Sequence, residues 1–405
     1  MKRIKLGIIG LGKRGFSLIK TIISCEDADI IALCDVYSDR TERAFEEVKS
    51  NSGIEAVLYT DYKELLKNSE VDAVFISCAW EGHVEVAVAA MRAGKTVAME
   101  VGGAYTVEEC WELVNVYEET KTPFMFMENC CYDKFELQAT ALVRAGKLGK
   151  IVHCHGAYSH DLRDEITGGN KNRHYRLRNY ISRNCENYPT HELGPIAKIL
   201  NINRGNRMLS LISVSSKAEG LKEYLKSHED IDKSLNDIEF KQGDIVSTII
   251  KCAGGETITL TLDTTLPKYY SREFTVRGTK GLANAEAEMI AIDGECNTHE
   301  FWENIKNTEK YSDYINEIWK TITPEAIEAG HGGMDYLEFK EFFNAIKTGG
   351  EMPIDIYDAA SWMVITALSE ASISTGMPQV VPDFTRGKWV LREPKDVVDL
   401  PNPNK

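Results

Sequence analysis

The sequence predicts an α/β chain in two parts. A doubly wound parallel-sheet domain is expected over residues 1–128, and an α+β domain with a mostly antiparallel sheet over 129–405. Three observations predict this. Short apolar runs alternate with helical patterns throughout the first part, as parallel strands joined by crossover helices do. The first of those runs ends in Gly10-Leu11-Gly12-Lys13-Arg14-Gly15. After about residue 130, strand-like runs succeed one another without intervening helices, the habit of an antiparallel sheet.

The elements follow in order. IKLGIIG (4–10) reads as a strand running into glycines, with a helix over 14–24. DIIALCD (29–35) is a second strand ending in an acid, followed by a charged helix over 38–51. AVLYT (56–60) is short. DYKELLKN (61–68) is a helix with Asp61 at the N-cap, where its carboxylate can accept from an unpaired backbone N–H. VDAVFISCA (71–79) is apolar enough for burial on both faces, and the Ala-rich helix 81–94 stops at Gly94. KTVAMEV (95–101) is a fifth strand. The helix over 106–120 opens with Thr106 and Glu109 at capping-box spacing, and PFMFMEN (123–129) is a sixth strand.

Beyond it, 133–146 reads as a helix ending at Gly146 and IVHCHGAYSHD (151–161) as a strand. Residues 162–187 are polar and rich in Arg, Asn and Gly, and 191–201 are helical. Strand-like runs at 208–216, 244–252, 256–263 and 272–278 are separated by turn signals such as AGGE and GTKG. Residues 300–376 are mostly helical, the aromatic residues at 301–314 read as packing, and the tail after Pro378 is irregular.

At about 150 residues per domain, 405 residues make two or three domains. An excess of 62 acidic over 47 basic residues argues against a nucleic-acid partner or an anionic membrane surface, which need a positive footprint. The Arg-rich segment 163–183 is a local exception. No apolar run reaches the length of a membrane span, and the apolar stretch near the N-terminus is broken too early for a signal peptide. A cytoplasmic location is expected. The ten cysteines lack the paired spacing of a zinc site or a disulfide framework and read as buried thiols. His153 and His155 alternate on one strand face, but period two sends His160 to the other, so no metal is expected.

The glycine loop follows a strand and opens a helix, the context a dinucleotide fingerprint requires. Gly10 permits the tight turn, Gly12 lets a pyrophosphate approach the backbone, and Gly15 permits close helix–strand packing. Asp35 ends the second strand, at the distance past Gly15 where a ribose-binding acid belongs. Its carboxylate accepts from a 2′-hydroxyl and repels a 2′-phosphate, so NAD is favoured over NADP, although Arg40 lies close enough in sequence to receive such a phosphate. The first domain is therefore expected to be a Rossmann domain.

ISCAWEGHVEVAVAAMRAGKTVAMEV resembles the signature of the Gfo/Idh/MocA oxidoreductases, with His83, Ala93-Gly94-Lys95 and Glu100 at its marked positions. The resemblance implies a second domain with an open, mostly antiparallel sheet. Two departures stand out. Val101 replaces the lysine that dehydrogenases of this superfamily carry after the acid, and Tyr188-Pro189-Thr190-His191 stands where an Asp–His pair is usual. These departures, with Cys-Ala-Trp-Glu-x-His, Met-Glu-Val, Met-Glu-Asn-Cys-Cys-Tyr, Tyr-x-His-Asp-Leu-Arg, Asn-Tyr-Pro-Thr-His-x-Leu-Gly-Pro and Asn-Ile-Asn-Arg-Gly-Asn-Arg, look like glycoside hydrolase family 109, the NAD-dependent α-N-acetylgalactosaminidases.

The resemblance implies a redox-neutral mechanism. Bound NAD+ oxidises the sugar at C3, the ketone acidifies the C2 proton, and a base removes it as the aglycone leaves C1. Water then adds, and the hydride returns. By the same resemblance, His191 accepts the C3 hydroxyl proton and Tyr188 contacts substrate and nicotinamide. Tyr158 moves the C2 proton or holds the sugar, a structural hydrogen bond being the competing role for it. Arg176 and Thr190 bind substrate and Tyr270 lines the pocket. Arg176 competes with Arg173, Arg178 and Arg183, and Tyr270 with Tyr269. Lys13, Arg14, Asp35, Trp80, His83, Glu100, Val101 and Asn129 join the glycines around NAD. A sugar or polyol dehydrogenase that releases NADH is the alternative, and a nucleotide-binding sensor a third reading. Expected partners are a carbohydrate substrate and a second copy of the chain, paired through the C-terminal sheet.

Overall fold

The computed structural model describes residues 3–228, 231–295, 306–328 and 330–401. Phe301 and Trp302, read above as packing residues, lie outside them. The chain forms two compact units. The first comprises Met1–Tyr132 and Lys320–Ala360, and the second Asp133–Trp319 and Ser361–Lys405. The division thus falls at Tyr132, near the expected boundary at 128. Residues 320–360, expected in the second domain, pack with the first unit instead.

The first unit is built on six strands: β1 (Ile4–Ile9), β2 (Ala28–Cys34), β3 (Val57–Tyr59), β4 (Ala73–Ile76), β5 (Thr96–Glu100) and β6 (Phe124–Met127). Their order is β3-β2-β1-β4-β5-β6 and every pairing is parallel. All four residues of β4 and of β6 are buried, because helices cover both faces of a doubly wound sheet. The order reverses between β1 and β4, where such sheets open a crevice at the strands' carboxyl ends. Ile9 pairs with both Cys34 and Ile76, so Gly10, Asp35 and Ser77 emerge together at that edge. The caps expected from sequence form: Asp61 accepts from Lys63 N, and Thr106 and Glu109 close a capping box.

The returning segment docks through apolar side chains. Phe339, Phe342 and Phe343 of the helix Met334–Thr348 are fully buried, and Phe339 meets Phe75 of β4 edge-to-face at 5.2 Å. Such a pair contributes about 1 kcal/mol beyond its buried area. Ile354 O accepts from Phe126 N at 3.0 Å, which satisfies a donor on the edge strand β6.

The second unit carries an eight-stranded sheet in the order β13-β12-β11-β7-β10-β9-β8-β14. These strands are β7 (Ile151–Ser159), β8 (Met208–Ser215), β9 (Ile245–Cys252), β10 (Thr257–Asp263), β11 (Thr275–Gly278), β12 (Gly281–Asn284), β13 (Met289–Ile292) and β14 (Gln379–Val380). Among the described residues β7 and β10 are its one parallel pair, and the other pairings are antiparallel. Period-two burial along β9 and β10 shows one covered face and one open face. The helix Thr190–Ile199 lies on the covered face, where Gly156 allows close approach: a Cβ there would stand 2.8 Å from that of Glu192.

Several elements went unforeseen. Residues 162–187 hold three short helices, Arg163–Thr167, Gly169–Asn172 and Arg176–Ser182. The helix Gly220–Ser227 separates β8 from β9, and β14 pairs within the tail expected to be irregular. Tyr311 and Tyr314 are buried, as packing residues are. Among the described residues, no helix is long and apolar enough to cross a membrane.

Candidate active site

The glycine loop has the geometry its sequence promised. Gly10 has φ +97°, and a Cβ there would lie 2.3 Å from Cys78 N. Gly15 packs so tightly that a Cβ would lie 2.1 Å from Gly10 O. At Gly12 the nearest atom to a built Cβ is Arg40 Nη1 at 3.7 Å, so the space above the loop is open. The helix Lys13–Ser24 starts there with no side-chain cap and no acid in its first turn. A helix N-terminus favours an anion, and no acid in its first turn opposes one here.

Asp35 is buried and steadies this loop. Its Oδ2 accepts from Leu11 N at 2.7 Å and its Oδ1 from Tyr37 N at 3.0 Å, while Arg40 Nη1 lies 3.6 Å from Oδ2. A carboxylate oxygen has two lone pairs, so acceptor capacity for a ribose hydroxyl remains. Ser77, which sequence reasoning passed over, donates to Gly10 O at 2.7 Å. Open space, convergent donors and an acid at the strand end fit a dinucleotide.

The other residues expected around the cofactor divide. Lys13 is exposed at the loop. Val101 is buried and donates its N–H to Glu100 Oε2 at 3.2 Å. Trp80 is buried with its indole against Gly102, where a Cβ would lie 2.6 Å from Cδ1. His83 is buried, with Nε2 donating to Cys78 O at 3.0 Å and Nδ1 making no hydrogen bond among the described residues. Burial pushes this imidazole down to about 4, against a smaller upward pull from the Cys78 carbonyl, so it is neutral near pH 7. Arg14 reaches into the protein: Nε bonds Glu100 Oε1 at 2.7 Å, and Nη1 and Nη2 bond Asp335 at 2.8 Å each. Asn129 is buried and donates to Asp335 Oδ1 at 2.7 Å.

In the second unit the fold gathers residues that lie far apart in sequence. Tyr158 is on β7, Tyr188 precedes the helix Thr190–Ile199, and His191 is on its first turn. The Tyr158 and Tyr188 rings are 4.6 Å apart, and His191 lies 5.6 Å from the first and 4.8 Å from the second. Both tyrosines are buried and His191 is partly exposed. The Arg176 guanidinium lies 5.0 Å from the Tyr188 ring centre and pairs with Glu165 at 3.0 Å. Its rivals are placed otherwise: Arg173 and Arg178 are exposed, and Arg183 pairs with Glu370. Tyr270 lies 5.4 Å from His160, which is 6.3 Å from Tyr158, whereas Tyr269 is 69% exposed and points to Glu286. Thr190 is fully buried, and its hydroxyl makes no hydrogen bond among the described residues.

A family model described as the C-terminal domain of glycosyl hydrolase 109 matches residues 132–391. The chain belongs to glycosyl hydrolase family 109. A second model, the NAD-binding Rossmann fold of an oxidoreductase family, matches residues 4–127 of this family 109 chain. An α-N-acetylgalactosaminidase of Tannerella forsythia is 38% identical across 96% of the chain and 88% of its own length. One from Shewanella oneidensis is 36% identical across 98% and 88%. A family 109 protein of Stenotrophomonas maltophilia is 38% identical across 97% and 91%. Among solved structures, a levoglucosan dehydrogenase in complex with NADH and levoglucosan superposes with TM-score 0.71 at 17% identity, covering 94% of this chain and all of that one. The myo-inositol 2-dehydrogenase of Lactobacillus plantarum reaches 0.66 at 17% identity, with the same coverage. These likenesses establish the Rossmann unit followed by a mostly antiparallel sheet.

Two acidic groups around these sites escaped the sequence reading. Asp335 bonds Arg14 of the nucleotide loop from a segment far along the chain, with Glu338 buried one turn further along the same helix, and Glu186 and Glu192 lie buried on either side of Tyr188 and His191 in sequence. The signal for the first was His331-Gly332-Gly333 before an amphipathic run, paired glycines of the kind a sharp bend uses; all three residues have positive φ. For the second it was acids bracketing an apolar helix start, a pattern shared with ordinary surface helices.

Proposed function

We propose that this family 109 chain is a glycosidase that uses NAD in a redox-neutral cycle to hydrolyse terminal α-linked N-acetylgalactosaminides or a close relative. The observation that carries this is the cluster of His191, Tyr158, Tyr188 and Arg176 within one unit of a chain whose other unit bears a dinucleotide loop. The curated relatives named α-N-acetylgalactosaminidase support the choice of sugar. Asp35 supports NAD over NADP, because its buried carboxylate at the second strand's end would oppose a 2′-phosphate.

When bound, the nicotinamide supplies a reversible hydride acceptor. The chain's own residues do the rest. His191 takes the proton of the sugar hydroxyl being oxidised, a task suited to imidazole. Tyr158 and Tyr188 flank it as donors and acceptors for proton movement at C2 and for holding the ring. Arg176 places a positive charge beside Tyr188, where negative charge developing on a substrate oxygen would be stabilised. Val101 removes the lysine that a dehydrogenase would use at the end of β5, which moves the acid–base work to the second unit.

Incubation with an aryl α-N-acetylgalactosaminide in deuterated water tests this. Product carrying deuterium at C2, with no accumulation of NADH, is the expected result. Stoichiometric NADH makes the chain a dehydrogenase, and tight cofactor binding without turnover makes it a sensor. For the self-association reading, the open face of the second sheet presents Leu209, Ile212, Val214 and Ile249 at 37–67% exposure. Monomeric mass by light scattering at micromolar concentration would end that part of the proposal.

A further inference from the structure

We propose that Asp335 is a positioning residue for the cofactor: from the returning helix it sets the start of the nucleotide-binding helix and the end of β6 in one geometry. Every residue of the argument lies in the first unit. Asp335 has no exposed surface. Its Oδ1 accepts from Arg14 Nη2 at 2.8 Å and from Asn129 Nδ2 at 2.7 Å. Its Oδ2 accepts from Arg14 Nη1 at 2.8 Å and faces His331 Nδ1 at 2.8 Å. One carboxylate thus joins the glycine loop's helix, the residue just past β6, and the bend that leads into its own helix.

The arrangement gives Arg14, expected among the residues around NAD, a defined set of partners. Here its fork is taken by Asp335 and its Nε by Glu100 at the end of β5. Arg14 ties the nucleotide-binding helix to the end of β5 directly and, through Asp335, to the residue just past β6, and a bidentate pair fixes orientation as well as distance. Burial alone would raise the Asp335 carboxyl, but Arg14, with help from His331, holds it well below the usual carboxylate range. It is therefore ionised at any working pH. Glu338, one helical turn further along, shows the opposite state. It is fully buried, neither carboxyl oxygen makes a hydrogen bond among the described residues, and burial with Glu100 and Asp335 nearby pushes it well above its ordinary range. Of these two buried acids on one helix, Asp335 is the one hydrogen-bonded to Arg14.

This inference rests on the proposed use of a nicotinamide dinucleotide, because it concerns how that ligand's site is held. The test is NADH titration of the full-length protein, followed by fluorescence, well below its melting temperature. Asp335→Asn keeps shape and removes the charge. It is expected to raise the NADH dissociation constant at least tenfold and to shift the emission of bound NADH. Arg14→Gln alone should weaken binding similarly, and the double variant should be no weaker than either single one, since both remove the same link. An Asp335→Asn protein that melts lower but binds NADH with wild-type affinity and emission overturns the proposal, leaving Asp335 a purely structural residue. So do strictly additive effects in the double variant. Should Asp335→Asn not fold, the Asn129→Ala protein replaces it, with the same tenfold expectation and wild-type affinity again overturning the proposal. A wild-type protein that binds no nicotinamide dinucleotide refutes the functional reading itself, an outcome visible before any variant is made.

Discussion

Alanine at Gly12 and alanine at Gly15 should do opposite things, and the difference tests the nucleotide loop closely. At Gly15 a Cβ would stand 2.1 Å from Gly10 O and 2.4 Å from Ser77 Oγ, far inside ordinary van der Waals contact. The first of these is backbone, so the helix Lys13–Ser24 must lift from β1. Overpacking of this kind costs about 1–3 kcal/mol, and two clashes place it near the upper end. At about 2–4 °C per kcal/mol for a unit of this size, Gly15→Ala should melt about 6–12 °C lower. At Gly12 the Cβ meets only the tip of Arg40 at 3.7 Å, and the backbone, with φ −63°, suits alanine. The entropy gained by removing a glycine and the weaker N-cap of alanine oppose each other at up to about 1 kcal/mol each. By the same scaling, Gly12→Ala should melt within about 4 °C of wild type. It should nonetheless bind NADH at least tenfold more weakly, because its methyl occupies the space a pyrophosphate needs. Thermal unfolding by circular dichroism and NADH fluorescence titration read the two effects separately. Wild-type NADH affinity in Gly12→Ala would refute the placement of phosphates over this loop, and an unchanged melting temperature in Gly15→Ala would refute the close helix–strand contact.

Three further predictions concern charge and chemistry. His191→Ala should abolish glycoside turnover while co-purified NAD is retained; retained full activity would remove His191 from the mechanism. Asp35→Ser should narrow the preference for NAD over NADP by at least tenfold, measured as the ratio of dissociation constants, because Arg40 is freed to meet a 2′-phosphate; an unchanged ratio would place selectivity elsewhere. Burial pushes the Glu186 carboxyl up to about 8, with neighbouring Glu192 opposing, so the folded state holds this proton more tightly than the unfolded chain does. The associated stability is full below about pH 4.5 and is lost as pH rises through about 8. Glu186→Gln should therefore match wild type near pH 5 and gain on the order of a few kcal/mol near pH 8.5 by chemical denaturation; parallel stability–pH curves for the two proteins would refute it.

The first unit was legible because its signals are local. A strand buried on both faces must be continuously apolar, and a glycine that turns a strand into a helix must stand at the junction. So the six strands, the caps at Asp61 and Thr106 and the roles of Gly10 and Gly15 could be read along the chain. The second sheet was legible in part. Its long strands alternate cleanly, whereas four-residue β12 and β13 and two-residue β14 are too short for a period to declare itself.

Residue types and motifs alone determined the alternation of elements, the acid at Asp35 and the family-specific Tyr188-Pro189-Thr190-His191 segment. What they left open was partnership. Four arginines stand between 173 and 183, and only packing decides that Arg176 meets Tyr188 while Arg183 meets Glu370. Residues 300–376 were expected to be mostly helical, but nothing in the sequence says which unit the helix Met334–Thr348 covers. That was settled by Phe339 against Phe75 and by Asp335 finding Arg14 near the opposite end of the chain. Helical and strand periods are set by near neighbours and survive in a one-dimensional reading. A buried ion pair or an aromatic contact between distant segments exists only once the chain has brought them together, and its energy depends on the water it excludes.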